Sequence, residues 1–465
     1  MTLAVALFAA AVGLTPQSAS SDVRVAGDGR LRKPVPQEKK AAMPKFGNLG
    51  PGVRYVLTTR DFETDRADGK FDRSVGFAMD YLRRMKPAYS FDNVKTAEEM
   101  PAWRAKVRAK LKELLQVGDD MKRDFRLLSS EDRDGYRLSR YEFYPEEALA
   151  VPILVLEPSC ALQTGAKVPA VVCLPGSGAS LDSLAGEPDD SANRFPLRNR
   201  QAWWYVKMGM VAVALENPAT ARNGERGVSH FVTQAQFARI MSIAGRSGWG
   251  FMVEHVLQAV EFLKVHPLVD RRRIGVSALS LGCIPALYSA VLSDDISALV
   301  YNDFVTSWAI RAMAQTEGDG QCGVGRKIDA RRPFGFYRWF DDEPDLMAAI
   351  APRPMILSEG GPWKRHIEKV KRAYALAGAS DKLRVAYYAR FAEPSARKFE
   401  DVDLATVTGL DADGYLLRAN VDAKEHSFHP DVNLPWLAET FFGKPELSEG
   451  LMQQVKQAAS ERSLW

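Results

Sequence analysis

The stretch that decides the fold reads Arg273-Ile274-Gly275-Val276-Ser277-Ala278-Leu279-Ser280-Leu281-Gly282, and Ile284-Pro285-Ala286-Leu287 follows it closely. Residues 274–277 form a short apolar run of the kind found in buried strands, and the second segment opens a helix. Between them, the small residues Ala278 and Gly282 allow the backbone to reverse sharply. The sequence therefore predicts a strand, a tight turn that carries Ser280, and a helix.

The same alternation of short apolar runs with amphipathic stretches continues along most of the chain. The predicted strands cover residues 136–144, 151–156, 168–174, 210–215, 274–277, 298–301, 355–358 and 383–388. The predicted helices cover residues 250–265, 282–292 and 365–377. Alternation of this kind builds an α/β fold, in which helices cover both faces of a mostly parallel central sheet.

The regions outside this alternation have their own compositions. An uncharged apolar run and the small residues after it predict a secretory signal peptide over residues 1–20, with a buried N-terminal helix as the alternative because no basic residue precedes the run. Residues 21–52 are expected to form a linker or arm, and apolar residues at helical spacing within 77–85 and 102–115 predict a helical extension over 53–130. The α/β domain is placed at 131–445, and 446–465 is left as a C-terminal tail.

Composition restricts the partners of the chain. Its 465 residues are 46% hydrophobic and 26% charged, which is ordinary for a globular protein, and the net charge of +4 is not gathered into a basic stripe. Nucleic acid is therefore not expected as a partner. The His, Cys and acidic residues show no metal-binding spacing and no glycine-rich phosphate loop follows a strand, so neither a metal nor a cofactor is predicted. No apolar run is long enough to predict an integral membrane span, and the oligomeric state stays unknown.

Ser280 is the candidate nucleophile. A serine hydroxyl reacts well when a strand-to-helix turn holds it out of the backbone, usually within a G-x-S-x-G pattern. Here Ala278 stands at the first glycine of that pattern. Ser277 competes, but it precedes the turn and is expected to point into the sheet. From the motif alone, the alternative of an incidental serine in a tight turn remains open.

These motifs resemble those of α/β-hydrolases in the dienelactone hydrolase and acetyl xylan esterase group. In that group a helix such as 250–265 also leads through a segment like His266-Pro267-Leu268-Val269-Asp270 into the nucleophile strand, and the similarity extends over residues 169–443. The resemblance implies a serine, an acid and a histidine in that chain order. It also implies an oxyanion hole made by the backbone amides of Leu281 and Ser177, with Gly176 lining the substrate site.

The resemblance places the general base on a late loop. His230, His255 and His266 precede Ser280, and His366 falls in a helical pattern, so these four histidines are expected to have structural or surface roles. His426 matches the family pattern, because Phe428 follows it by two positions and a helix containing Trp436-Leu437 comes next. We therefore expect His426 to be the base, and His429 to be a surface or substrate-facing residue.

Two positions remain open for the acid. Asp303 follows the strand predicted at 298–301, in the region where glucuronoyl esterases place their acid, and it is narrowly preferred. Glu359 ends the strand predicted at 355–358, while Trp363 stands where relatives commonly carry aspartate. Trp249 and Trp308 lie near predicted strand ends, so they are candidates to stack on a sugar ring, with core packing as the alternative.

The predicted signal peptide implies export to the periplasm or the outside. The resemblance implies a serine esterase that acts on a small-molecule or oligosaccharide ester, with acetyl or related esters of carbohydrate, such as glucuronate esters, as the expected substrates. A peptidase related to prolyl oligopeptidases is a second reading, although no propeller-like repeat precedes the α/β domain. A third is a non-catalytic carbohydrate-binding protein, which would keep Ser280 and His426 out of hydrogen-bond reach.

Overall fold

Nine strands form one mixed sheet in the computed structural model, which describes residues 64, 66–118, 121, 124–188, 195–220, 230–305, 332–401 and 412–461. In chain order they are β1 Phe125–Arg133, β2 Tyr136–Glu146, β3 Leu149–Pro158, β4 Val168–Leu174, β5 Val211–Leu215, β6 Val269–Leu279, β7 Ala298–Asn302, β8 Met355–Leu357 and β9 Leu383–Val385. Their spatial order is β1-β2-β3-β5-β4-β6-β7-β8-β9. β1, β2, β3 and β5 pair antiparallel, and the strands from β5 through β9 pair in parallel. The predicted α/β fold with a mostly parallel sheet is confirmed.

Helices cover both faces of this sheet. The described helices are α1 Ser74–Arg83, α2 Met100–Leu115, α3 Ser159–Thr164, α4 Leu181–Ala185, α5 Pro196–Asn199, α6 Gln201–Lys207, α7 His230–Ile243, α8 Gly248–Val265, α9 Cys283–Leu292, α10 Glu343–Ala348, α11 Lys364–Leu376, α12 Ala412–Arg418, α13 Pro430–Phe442 and α14 Glu449–Ser460. Side chains of α2, α8 and α9 join the core on one face, and side chains of α6, α13 and α14 join the core on the other.

The alternation of strand side chains separates the two cores. In β4, Val172 packs in the core with α8 and α9, while its neighbour Val171 packs in the core with α6 and α13. Every residue of β5 and β7 is buried. Parallel strands that are covered on both faces have no solvent-facing side, and this explains why they read as continuous apolar runs.

The helical extension is part of the same packing. Trp103, Val107, Leu111 and Leu115 of α2 are buried in the core that α8 and α9 share, as the helical spacing predicts. The helices come very close at Gly250, where a Cβ atom would lie 1.9 Å from the Leu115 carbonyl oxygen. The described residues all belong to one compact unit, 54–465, and the predicted signal peptide and linker lie outside the described residues.

The C-terminal segment is also packed on the sheet domain. Within residues 446–465, which the sequence predicts to be a tail, α14 buries Leu451, Val455 and Ala458 in the core that α13 shares. Glu461 then accepts hydrogen bonds from the backbone amides of Leu197 (2.6 Å) and Arg198 (3.4 Å) in the first turn of α5. The end of the chain thereby fixes the short helix that carries Arg198.

Among the described residues, Cys160, Cys173 and Cys283 are free thiols, and Cys322 lies outside them. Within the same part of the chain, no helix combines the length and the apolar character that crossing a membrane requires.

Candidate active site

The turn after β6 holds Ser280 in a strained conformation. Its φ is +50°, a value that residues other than glycine seldom adopt, and it begins a short 3₁₀ turn, Ser280–Gly282, that leads into α9. Gly282 is needed for space, since a Cβ atom there would lie 2.7 Å from Leu174 Cβ and 2.8 Å from the Pro175 carbonyl oxygen. Ala278 is fully buried, so its methyl group fits where the common pattern has glycine.

The ends of three adjacent parallel strands bring the nucleophile and both candidate acids to one edge of the sheet. Leu279 of β6 lies opposite Asn302 of β7, and Tyr301 of β7 lies opposite Leu357 of β8. The residues that follow, Ser280, Asp303 and Glu359, therefore form one row at the carboxyl edge. Ligands bind at this edge in open α/β sheets.

His426 is hydrogen-bonded to Glu359. The Nδ1 atom of His426 lies 2.9 Å from Glu359 Oε2, and the Glu359 side chain has no exposed surface. A carboxylate can only accept a hydrogen bond, so Nδ1 carries the proton that is donated. The neutral ring then has an unprotonated Nε2, which is the atom that can take a proton from a hydroxyl group.

The charges of Glu359 and His426 shift the pKa of both side chains. Burial favours the neutral form of the carboxyl group, but the charge and hydrogen bond of His426 outweigh burial and lower the pKa of Glu359 below its usual range. Burial likewise favours a neutral imidazole, yet Glu359, with a smaller effect from Asp303, raises the pKa of His426 above its ordinary value. Glu359 therefore stays ionised, and its negative charge stabilises the protonated form of His426.

Asp303 lies close to the same histidine in a different relation. Its carboxylate, the Glu359 carboxylate and His426 offer atoms that all fall within 4.8 Å of one another. Asp303 Oδ1 accepts a hydrogen bond from the Phe304 backbone amide at 2.9 Å. The ring of Phe304 in turn lies edge-on to His426, with 6.4 Å between the ring centroids. The geometry favours Glu359 over the narrowly preferred Asp303 as the partner of His426 Nδ1.

Two residues that the sequence did not indicate contact the Glu359–His426 pair. Asn302 Nδ2 donates to Glu359 Oε1 at 2.8 Å, and the Tyr388 hydroxyl lies 3.2 Å from His426 Nδ1. Burial, and after it the charge of Glu359, raises the pKa of Tyr388 well above its usual value, so this phenol stays neutral. Asn302 has a detectable sequence signal, because it directly precedes Asp303 at a strand end. Tyr388 has none, since it lies beyond β9 in irregular structure.

His429 approaches the same carboxylate from its other side. His429 Nε2 lies 3.4 Å from Glu359 Oε1, and its Nδ1 lies 2.7 Å from Arg198 Nη2. The ring is buried and contacts Tyr388, with 5.5 Å between the ring centroids. The expectation of a surface residue is therefore wrong for His429, because the loop before α13 turns its ring inward.

The loop after β4 lies against the nucleophile turn. A Cβ atom at Gly176 would lie 3.5 Å from the Cβ atom of Ser280, so only a short distance separates the two segments. Asn217 Nδ2 donates to the Pro175 carbonyl at 2.9 Å, and Gln201 Nε2 donates to the Leu174 carbonyl at 3.1 Å. These bonds fix the loop that carries Gly176 and Ser177 beside the turn that carries Leu281.

The remaining predicted residues fall elsewhere. Ser277 is buried, accepts a hydrogen bond from the Tyr205 hydroxyl at 2.9 Å and donates to Gln201 Oε1 at 3.0 Å, so it points into the sheet as expected. Trp249 is 1% exposed and packs in the core beside Tyr288, which leaves no ring face for a sugar. Trp308 lies outside the described residues.

Asp303, Glu359 and His426 also have the chemistry of metal ligands. Two carboxylates and an imidazole within 4.8 Å of one another are able to hold a divalent cation. Both oxygens of Glu359 already accept hydrogen bonds, from His426 Nδ1 at 2.9 Å and from Asn302 Nδ2 at 2.8 Å, so the arrangement fits a proton-transfer site better than a metal site. The sequence did not indicate this cluster, because its members come from three distant segments.

The comparisons with known proteins agree with the fold. The sequence matches the Abhydrolase family over residues 57–439. No protein of curated function matches this sequence significantly. A solved structure of a provisionally assigned acetyl xylan esterase from Bacteroides fragilis shares 30% identity, with a TM-score of 0.73 over 83% of this chain and 100% of that one.

Two further solved structures match at lower similarity. A glucuronoyl esterase from Solibacter usitatus is 12% identical and covers 63% of this chain and 88% of its own, with a TM-score of 0.44. Acetyl xylan esterase 1 from a Thermoanaerobacterium species is 14% identical and covers 70% of this chain and 98% of its own, with a TM-score of 0.38. Because the family match spans most of the chain and the Bacteroides fragilis structure matches at 30% identity, the chain belongs to the Abhydrolase family of α/β-hydrolases, within the group that resembles acetyl xylan esterases.

Proposed function

We propose that the protein is an exported serine esterase that cleaves carboxylic esters on carbohydrate, acetyl esters foremost. The observation that carries the proposal is the 2.9 Å hydrogen bond from His426 Nδ1 to the buried Glu359, in a row with a serine at positive φ. Export is supported by the apolar run and small residues within 1–20, and N-terminal sequencing of the secreted protein would test it.

The reaction follows from these groups. Ser280 Oγ attacks the ester carbonyl carbon while His426 Nε2 takes the hydroxyl proton. The backbone amides of Leu281 and Ser177 donate to the oxyanion that forms. When the intermediate collapses, the ester C–O bond breaks and His426 gives its proton to the leaving alkoxide. Water then attacks the acyl-serine carbonyl while His426 takes a proton from it. When this second intermediate collapses, the bond between the acyl carbon and Ser280 Oγ breaks, His426 returns the proton to Oγ, and the acid is released.

Glu359 supports both halves of this cycle. Its hydrogen bond to Nδ1 keeps the ring in the tautomer that leaves Nε2 unprotonated, and its negative charge stabilises the imidazolium that forms in each step. Asp303 adds a second negative charge close to the ring. We assign Glu359 as the acid of the triad and Asp303 as a nearby electrostatic contributor.

The substrate class rests on similarity to relatives. The Bacteroides fragilis protein, at 30% identity, is assigned as an acetyl xylan esterase, and this supports acetylated xylan fragments as the first substrates to try. A fold alone does not fix a substrate, so other esters belong in the same test. A peptide substrate would favour the peptidase reading instead.

The test compares the purified protein on 4-nitrophenyl acetate, acetylated xylo-oligosaccharides, a glucuronate methyl ester and a 4-nitroanilide peptide. We expect acetyl ester hydrolysis, with kcat reduced on the order of 10⁴-fold or more in both Ser280→Ala and His426→Ala. Ser277→Ala is the matched control, because it removes a nearby buried serine that points into the sheet. Its activity should stay close to that of the parent.

The other outcomes are also informative. Binding of the xylo-oligosaccharide without turnover of any ester would support the carbohydrate-binding reading and overturn the proposal. Activity that survives in folded Ser280→Ala would show that another group is the nucleophile. Cleavage of the anilide in preference to every ester would indicate a peptidase.

A further inference from the structure

His426 contacts one oxygen of the buried Glu359 carboxylate, and His429 contacts the other. His426 Nδ1 lies 2.9 Å from Glu359 Oε2, and His429 Nε2 lies 3.4 Å from Glu359 Oε1. The mechanism above uses His426 and has no role for His429. A buried histidine that faces the acid of a triad is able to influence how that acid is held.

Arg198 determines the tautomer of His429. Arg198 Nη2 lies 2.7 Å from His429 Nδ1, and a guanidinium group can only donate hydrogen bonds. Nδ1 must therefore accept, so the neutral ring carries its proton on Nε2. This atom lies 3.4 Å from Glu359 Oε1, a contact that is electrostatic and not a hydrogen bond. Arg198 is itself fixed, because its Nε donates to the Phe428 carbonyl at 3.2 Å and its Nη1 donates to Glu425 Oε2 at 3.0 Å.

We propose that His429, set in its Nε2–H tautomer by Arg198, is a positioning residue that holds the Oε1 end of Glu359 so that Oε2 stays directed at His426 Nδ1. This inference rests on the proposed function, since it gives His429 a role in the same triad. Asn302 Nδ2 shares the task, because it donates to the same Oε1 atom at 2.8 Å.

The positioning role predicts a change in the pH dependence of activity when His429 is replaced. An N–H group beside Oε1 makes the carboxylate a weaker acceptor for the proton that His426 holds. Loss of that N–H group should leave His426 protonated to higher pH. The described titratable and charged groups near the pair come from separate parts of the fold. They are Asp303 after β7, Cys283 at the start of α9, Tyr388 after β9, Asp422, whose charge acts on Tyr388, and Arg198 with its partner Glu425 behind His429.

A purely structural role for His429 has a different requirement. Its backbone amide donates to Asn302 Oδ1 at 2.9 Å, and its carbonyl accepts from Val432 and Asn433 at the start of α13. Asparagine would keep these backbone bonds and offer Oδ1 to Arg198, but its side chain is too short to reach Glu359. Glutamine extends further and can place an N–H group where Nε2 lies.

The experiment measures kcat/KM against pH for the parent, His429→Asn and His429→Gln. We expect kcat to fall on the order of 10- to 100-fold in His429→Asn, with KM little changed and the acidic limb moved to higher pH. His429→Gln should recover most of the activity and the parental limb. His266→Asn is the matched control, because it removes another buried His–Glu contact of 3.4 Å, to Glu157, and should leave the profile unchanged.

A parental profile in His429→Asn, or equal impairment in the Asn and Gln variants, would overturn the inference. A second measurement uses the unmodified protein and so does not depend on the folding of either variant: ¹⁵N NMR of histidine-labelled protein, with the His429 ring resonances assigned by through-bond correlation to its own backbone amide. A proton on Nε2 is expected, and a proton on Nδ1 would overturn the inference. A folded parent without esterase activity would defeat the proposed function instead, while the NMR result would still decide the tautomer.

Discussion

Glu359 and Asp303 affect His426 in different ways at the residue scale. Glu359 supplies both a hydrogen bond and the larger charge effect, whereas Asp303 supplies a charge effect only. Glu359→Gln should therefore reduce kcat on the order of 10³- to 10⁴-fold, because the tautomer of His426 is no longer fixed. Asp303→Asn should cause a smaller loss.

The pH dependence of the same variants has a definite sign. Glu359 raises the pKa of His426, so the base is protonated and inactive up to a higher pH than an ordinary histidine near 6.5. Replacing the carboxylate with an amide removes that effect. The acidic limb of kcat/KM in Glu359→Gln should move to lower pH while the plateau falls, as measured with 4-nitrophenyl acetate from pH 5 to 9. A larger plateau loss in Asp303→Asn than in Glu359→Gln would assign the triad acid to Asp303.

The sequence predicts some members of the site and misses others for physical reasons. Ser280 and His426 have local patterns, which are the small residues of a sharp turn and an aromatic residue two positions later. The acid has no such pattern. Asp303 and Glu359 both follow strands, and only the three-dimensional position of His426 shows which of them is its partner. Arg198 and Tyr388 reach Glu359 and its histidines from segments with no mark in the sequence.

The contact between β4 and the start of α9 supports a prediction at the scale of elements. Gly282→Ala would place a methyl group 2.7 Å from Leu174 Cβ and 2.8 Å from the Pro175 carbonyl oxygen. Overpacking of this kind destabilises proteins by about 1–3 kcal/mol. The variant should have a lower Tm and reduced kcat, because the loop at Gly176 would move away from Ser280.

Gly450→Ala is the control for this substitution. Gly450 lies in α14, and a Cβ atom there would meet nothing within 4 Å. Alanine favours helix by up to about 1 kcal/mol over glycine, so the Tm of this variant should be unchanged or slightly higher. Equal Tm values for Gly282→Ala and the parent would show that the two elements can separate at little cost.

Elements were predictable where their periodicity is strong. β4 Val168–Leu174 has the predicted limits, and α2 buries the face that its spacing indicates. β9 ends at Val385, short of the predicted 388, and two short 3₁₀ turns, Ala389–Phe391 and Pro394–Ala396, follow it. α14 was missed because its buried residues, Leu451, Val455 and Ala458, are interspersed with polar residues. Its partner surface on α13 and the sheet exists only in the folded protein.

The stability of the whole molecule should depend on pH through two buried histidines. His255 and His366 are almost completely buried, and within the described residues their ring nitrogens have no hydrogen-bond partner. Burial, with a smaller effect of the Arg246 charge, lowers the pKa of His255 to about 3. Burial also lowers the pKa of His366 to about 3, although Asp341 opposes it.

The sign of the effect follows from proton binding. Below pH 6.5 the unfolded chain binds a proton at each of these histidines, while the folded protein does not bind one until about pH 3. The free energy of unfolding should therefore fall by about 1.4 kcal/mol per pH unit for each histidine in this window. Asp345, whose pKa burial raises to about 6 against the opposing charge of Lys369, acts in the opposite direction.

The variant His255→Leu isolates the contribution of His255 to the pH dependence of the unfolding free energy. Relative to the parent, His255→Leu should gain about 2 kcal/mol of unfolding free energy between pH 6.5 and pH 5, whatever its stability at neutral pH. Urea denaturation at several pH values measures this difference, and the Asp345 effect cancels because both proteins share it. Parallel stability curves for the two proteins would show that His255 is protonated in the folded state.

The contact of Glu461 with α5 has a consequence for the order of events during synthesis. Glu461 holds the backbone of Leu197 and Arg198, and Arg198 holds His429 beside the carboxylate of the site. Ser280, Glu359 and His426 all leave the ribosome earlier than residue 461. A nascent chain that already contains every reacting group would still lack this last support, so full turnover should appear only after translation has passed the final helix.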